Sequence, residues 1–236
     1  MNEHIVKSYE EELSLLDKRI AQMGGLAEQN LARAFDALER RDPRLASQAI
    51  EADRTIDTIE QEVESQVITM IARRQPMAND LRHVMAALKI TSDLERIGDL
   101  AKNIAKRALA TAEEQHPKTV ITGLRHMVDL ALRQLKIVLD AYAERNSEAA
   151  LGVWRSDEEI DAMYNSLFRE LLTYMMEDPR NIGIATHLLF GAKNVERVGD
   201  HTTNIAETVH FLVTGRTVTD DRPKGDDTST TLIGRG

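Results

Sequence analysis

The stretch Asp93-Leu94-Glu95-Arg96-Ile97-Gly98-Asp99 returns 101 residues later as Asn194-Val195-Glu196-Arg197-Val198-Gly199-Asp200. In the same register Asn103-Ile104-Ala105 is matched by Asn204-Ile205-Ala206, so seven of the thirteen positions from 93 to 105 are identical. A second register, offset by 104, pairs Asp36, Ala37 and Arg41 with Asp140, Ala141 and Arg145, and the segment 53–57 with 157–161. The three-residue change of offset belongs to one connection. An internal repeat decides the fold before any local pattern does, because each copy must be the same supersecondary unit.

That unit is read from the chain's punctuation. Pro43, Pro76, Pro117 and Pro179 each stand beside residues able to cap a following helix, and Pro223 lies in the tail. Asp42-Pro43 has the N-cap acid and first-turn proline of a helix start. Asn79-Asp80 and Asn181 offer caps after Pro76 and Pro179, and Arg145-Asn146-Ser147-Glu148 is a boundary without proline. These signals predict helices near 5–40, 43–74, 80–112, 118–144, 147–177 and 181–214, with Gly24-Gly25 as a place for the first to bend. Apolar residues at 42% with aromatics at only 4% supply the Leu, Ile, Val, Ala and Met core of a helical bundle. The expected fold is all-α: two tandem three-helix bundles, six long helices related by the internal repeat. Residues 1–114 form the first bundle, 115–217 the second, and 218–236 a disordered polar tail.

Several functions are disfavoured at once. There is no cysteine, hence no thiolate metal site and no cysteine nucleophile, which suits a reducing compartment. The first residues lack a basic segment leading into an apolar one, and no apolar run approaches ~18 residues, so the expected setting is cytoplasmic. A formal charge of −9 opposes nucleic acid as a partner. No Walker-type phosphate loop, nucleophile elbow or Ser/His/Asp pattern is present.

The chemically loaded residues are carboxylates four apart: Glu95/Asp99, Glu196/Asp200, Asp53/Asp57, Asp157/Asp161 and Glu60/Glu64. Each such pair costs a helix a few tenths of a kcal/mol, and the mid-helix Gly98 and Gly199 cost ~1 kcal/mol each. A cation held by the carboxylates would offset the repulsion, and glycine would admit a neighbouring helix or ligand. Oxygen-only ligands suit Mg²⁺ or Mn²⁺, with Fe a further candidate. On a helical wheel Leu94, Ile97, Ala101, Ile104 and Ala108 lie opposite Glu95, Asp99 and Asn103, which places the acidic stripe on the bundle's exterior. The second copy gives the same result, while Asp53 and Asp57 fall at the edge of an apolar stripe of Ile56, Ile59, Val63 and Met70. Tyr164 and Phe168 replace Glu60 and Glu64, so acidity is richer in the first half, and if only one site is strong it is expected there. Ordinary solvated faces are the plainer alternative on spacing alone.

Other features carry less. The Glu-x-x-His spacings Glu113/His116 and Glu207/His210 do not recur between the copies and read as chance. His201 reads as a surface histidine, Arg73-Arg74 as a solvated loop or a docking contact, Trp154 as a packing anchor. Met70, Met85, Met127, Met163, Met175 and Met176 read as core filler.

The chain closely resembles the PhoU family across residues 5–218. The resemblance rests on both Glu-Arg-(Ile/Val)-Gly-Asp cores, Glu51-Ala52-Asp53, Arg73-Arg74-Gln75-Pro76 with Asp80-Leu81-Arg82, Tyr174-Met175-Met176-Glu177-Asp178, and Phe211-Leu212-Val213-Thr214-Gly215. It implies two three-helix bundles and a cytoplasmic negative regulator of the phosphate-starvation (Pho) regulon. Such a protein sits between the Pst phosphate transporter, through its ATPase subunit, and a PhoR-type sensor histidine kinase. It further implies metal binding through the Glu/Asp-x-x-x-Asp motif, carried here by Glu95/Asp99 and Glu196/Asp200. Asp53/Asp57 and Asp157/Asp161 share the spacing as second candidates, and a homodimer is common in the family. The expected role is an adaptor without catalysis. The alternative, a metal-dependent carboxylate enzyme on a helical bundle, requires inward ligands and a positioned acid or base that the wheels do not provide.

Overall fold

A computed structural model describes residues 2–219, with side chains from residue 9 onward; the expected polar tail therefore lies, apart from Val218 and Thr219, outside the described residues. The chain forms α1 (Asn2–Arg40), α2 (Pro43–Arg74), α3 (Asn79–Ala110), α4 (Lys118–Glu144), α5 (Ser147–Arg155), α6 (Asp157–Glu177) and α7 (Ile182–Thr214), with one turn of 3₁₀ helix at Pro179–Asn181 before α7. The six long helices are present, and no strand occurs among the described residues.

The predicted fifth helix is cut in two at Ser156. Its amide and its Oγ both donate to the Val153 carbonyl (3.1 and 2.9 Å), which tightens the last turn of α5. The Ser156 carbonyl accepts from the Glu159 amide and from Gln134 Nε2 of α4, each at 3.2 Å. At the corresponding place in the first half stands Ala52, which has no side-chain hydroxyl to compete for the ladder, and α2 runs unbroken.

Caps follow the sequence in part. Asp42 Oδ1 accepts from the Arg44 and Leu45 amides (2.8 and 3.4 Å), and Asn146 Oδ1 from that of Ala149 (3.1 Å). Before α3 the cap is Ala78 and no side chain serves it. Before α7 the acceptor is Asp178, which takes the Arg180 amide at 2.9 Å, while Asn181 instead donates to the Tyr174 carbonyl. α1 passes Gly24-Gly25 without interruption. A Cβ on Gly24 would lie 2.7 Å from Leu139 Cδ1, so that glycine sets the approach of α4.

The halves pack along two antiparallel seams. Tyr142 meets Asp17 and Arg125 meets Asp36, so α1 and α4 run in opposite directions. Asp93 meets His201, Arg107 lies over Phe190 and Arg82 lies over Phe211, which makes α3 and α7 antiparallel as well. α2 flanks α1 and α3, α6 flanks α4 and α7, and α5 covers α4 and α7. The buried apolar side chains of both halves form one continuous core. Met70 and Met127 are buried in it as expected, whereas Met85 and Met176 are exposed.

Gly98 and Gly199 sit where α3 meets α2 and α7 meets α6. A Cβ on Gly98 would lie 3.0 Å from both Asp53 Oδ1 and Ile56 Cδ1, and one on Gly199 would lie 2.9 Å from Ile160 Cδ1. The paired glycines hold each outer helix at close range. Gly98→Val is expected to lower the unfolding free energy by roughly 1–3 kcal/mol through overpacking. Gly25 has no neighbour within 4 Å of its would-be Cβ. Gly25→Ala is expected to raise stability by roughly 0.5–1 kcal/mol. Urea midpoints of the two variants moving in the same direction would contradict this account.

Candidate carboxylate clefts

The close approach at Gly98 and Gly199 governs where the acidic residues sit. Glu95, Asp99, Glu196 and Asp200 were expected on the bundle exterior, which the structure corrects, and Asp53 and Asp57 at the edge of an apolar stripe. Asp53 is 1% exposed, Asp157 4%, Asp161 6% and Glu196 5%, while Asp57, Glu95, Asp99 and Asp200 are half-buried. The eight residues fall in two clefts, one between α2 and α3 (Asp53, Asp57, Glu95, Asp99) and one between α6 and α7 (Asp157, Asp161, Glu196, Asp200). A wheel divides one helix into inside and outside. α3 packs against α1, α2 and α7, and α7 against α3, α4, α5 and α6, so the side opposite the core faces the edge of α2 or α6.

In the first cleft Lys102 Nζ bridges Asp53 Oδ2 at 2.6 Å and Asp99 Oδ1 at 3.2 Å. The pairing with Asp53 first, then with Asp99, pushes the lysine up to about 12. Asp53 nonetheless titrates above the usual carboxylate range, because its burial outweighs the ammonium. Glu95 is pushed up to about 7, first by burial and then by the charges of Asp99, Glu60 and Asp57, with Arg96 opposing. Arg96 Nε lies 3.4 Å from Glu95 Oε2.

The second cleft is built differently. Thr203, the repeat counterpart of Lys102, donates its hydroxyl to Asp157 Oδ1 at 2.8 Å. Its cation is Lys193, whose Nζ lies 3.0 Å from Glu196 Oε1 and 4.9 Å from the centre of the Tyr164 ring. Glu196 is pushed up to about 7 by burial foremost, with Asp200 and Asp161 adding and Lys193 opposing. Sequence reasoning named every carboxylate and missed both lysines, although the spacings Asp99/Lys102 and Lys193/Glu196 are a visible signal.

The donor chemistry fits a hard divalent ion. Asp53 Oδ1 and Glu196 Oε2 are buried acceptors without a hydrogen-bond donor among the described residues, and each cleft gathers oxygen ligands alone. As the side chains stand, no three Asp, Glu, His or Cys groups among the described residues converge closely enough to hold one. A bound ion would require side-chain rotation in either cleft, with displacement of Lys102 in the first and of Lys193 from Glu196 in the second.

The remaining candidates are occupied. Trp154 is buried as expected, and its Nε1 donates to Glu207 Oε1 at 3.0 Å, while His210 Nδ1 lies 2.8 Å from Ser147 Oγ. His201 is no surface residue: its Nδ1 lies 2.9 Å from Asp93 Oδ1, which also accepts from Asn204 Nδ2 at 3.2 Å. Arg74 is paired with Glu12 at 2.6 Å, and Arg73 is exposed. No helix among the described residues is long and apolar enough to cross a membrane.

Comparison with known proteins agrees with this architecture. The PhoU domain family model matches the chain twice, at residues 20–108 and 124–209. The chain is 54% identical over 227 residues to a phosphate-specific transport system accessory protein PhoU homolog of Rhizobium meliloti, covering 96% of each. It is 52% identical over 226 residues to the homolog of the same name from Caulobacter vibrioides, covering 96% of this chain and 98% of that one. The crystal structure of PhoU from Pseudomonas aeruginosa superposes with a TM-score of 0.85 at 38% identity, covering 88% of this chain and 100% of that chain. The phosphate transport system regulatory protein PhoU from Streptococcus pneumoniae superposes with a TM-score of 0.82 at 30% identity, over 89% and 99%.

The raised carboxyls make a pH prediction. Glu196 titrates near 7 in the folded protein, against an ordinary value of 4.5. Its protonated form therefore stabilises the fold at low pH, and that contribution is lost as pH rises through about 7. In chelator-treated protein, Glu196→Gln is expected to leave stability unchanged near pH 4 and to raise it by roughly 1–3 kcal/mol at pH 8. Thermal melts of the two proteins that stay parallel from pH 4 to 8 would refute the assignment.

Proposed function

This chain belongs to the PhoU family, and from that we propose that it is the accessory protein of a phosphate-specific transport system, acting as a regulator without catalysis. The observation that carries the reading is identity of 54% along 96% of both chains to a protein of that description. We further read it as a cytoplasmic homodimer that couples the transporter's ATPase subunit to a PhoR-type histidine kinase and so holds the Pho regulon off when phosphate is plentiful. What supports an adaptor is the distribution of the chemistry. The acidic clefts are partly occupied by the chain's own Lys102, Lys193 and Thr203, and they carry charge rather than a nucleophile with its base.

Divalent metal binding belongs to the same proposal. Asp53, Asp57, Glu95 and Asp99 would hold an ion in the first cleft, and Asp157, Asp161, Glu196 and Asp200 in the second. Such an ion would supply the charge that offsets carboxylate repulsion. Acid content favours the first cleft, and an ammonium competes in each, Lys102 at Asp53 and Asp99 and Lys193 at Glu196.

Deleting the gene is expected to switch on alkaline phosphatase in phosphate-rich medium, and unchanged repression would defeat the regulator reading. For the metal, Mn²⁺ or Fe²⁺ at about 100 times its dissociation constant should stabilise the protein by ~2.7 kcal/mol. Lys102→Thr is expected to tighten binding in the first cleft. Purified protein free of metal by elemental analysis, with melting unmoved by either ion, would remove this part of the proposal.

A further inference from the structure

α3 carries Leu81 and Met85 on its solvent side, and Met77, in the connection before it, is 80% exposed. Leu81, Met85, Ala78 and Ala86 join Phe211 of α7 around an apolar recess of about 330 Å³. Two cations, Arg82 and Lys89, stand at its rim. Arg82 lies 5.7 Å from the centre of the Phe211 ring and donates to Asn79 Oδ1, and neither cation forms an ion pair among the described residues. The acids nearby are turned elsewhere. Glu207, which lines the adjoining cavity, accepts from Trp154, and the charge of Asp80 bears on Tyr9 of α1.

The repeat shows that this end differs from its counterpart. Leu81 corresponds to Ile182, also exposed, but Arg82 corresponds to Gly183, Met85 to Thr186, Lys89 to Phe190, and Phe211 to Ala110. The counterpart therefore lacks both cations, and its Phe190 is covered by Arg107, 4.6 Å from the ring centre. On a chain of net charge −9, an apolar recess bordered by two unneutralised cations is a local reversal of sign. That reversal selects an acidic occupant at short range, and methionine gives the apolar floor an adaptable surface.

We propose that the recess between the start of α3 and the end of α7 docks an acidic amphipathic helix of a partner protein. The partner's apolar stripe seats on Leu81, Met85 and Phe211, and its flanking carboxylates pair with Arg82 and Lys89. This rests on the transport-accessory reading insofar as the helix is assigned to the transporter.

The test uses the full chain and two labelled synthetic helices of about four turns, with leucine at i, i+3, i+4 and i+7 and either Glu or Lys at the flanking positions. The Glu helix should bind at least ~10-fold more tightly than the Lys helix, with the gap closing in high salt. Leu81→Asp with Met85→Asp should weaken it at least ~10-fold. Arg82→Glu with Lys89→Glu should invert the preference, and Ile182→Asp at the other end should change nothing. Matching thermal melts would show that these surface variants fold. Equal binding of the two helices, binding that survives Leu81→Asp with Met85→Asp, or binding of neither helix would overturn the proposal. Detergent-solubilised phosphate transporter forms a separate arm. If the wild-type chain binds it and the recess variants bind equally, the recess is not the contact and the proposal fails while the accessory reading stands. If the wild type does not bind it but the peptide pattern holds, the accessory reading fails and the recess stands.

Discussion

The approach of α2 to α3 at Gly98, and of α6 to α7 at Gly199, is the constraint from which the rest of the functional architecture follows. At these points the outer helix packs against backbone. A Cβ on the glycine would stand 3.0 Å from Asp53 Oδ1 in the first half and 2.9 Å from Ile160 Cδ1 in the second. Helices held this closely sandwich the side chains beside the contact. The carboxyls there lose water, which disfavours their charged form, and burial is the largest influence on Glu95 and Glu196 alike.

Each half answers that electrostatic problem in its own way. Lys102 spans Asp53 and Asp99 in the first cleft, while Thr203 and Lys193 divide the task in the second. A shared backbone geometry has thus been kept while the neutralising groups moved along the helix. The same divergence shows at the ends of the long seam between α3 and α7. There one copy carries Arg82 and Lys89 beside an apolar recess, and the other carries Gly183 and Phe190. The two halves of the duplicated unit thus share a scaffold and differ in the charges of their surfaces.

Much of the fold was legible because its signals are local. Proline, capping acids and apolar periodicity are set by residues within a turn or two of each other, and Asp42 and Asn146 cap where expected. The break at Ser156 was not legible, because Gln134 of another helix takes part in it, donating to the Ser156 carbonyl and hydroxyl. For the same reason Asn181 looked like a cap, while the acceptor in place is Asp178. His201 was assigned to the surface because its partner, Asp93, lies across the seam in the other copy.

The sequence by itself determined that the chain is a duplicated set of long helices and that four carboxylate pairs recur at matching places. Both are properties of spacing along one chain. Only the tertiary structure decided which way those carboxylates face. A single helix has a core side and a far side, but α3 touches three helices and α7 four, and the far side of each is roofed by the edge of an outer helix. That is why Glu196 is buried where the wheel made the acidic side solvent, and why the reach of Lys102 across to Asp53 showed only once the helices were in contact.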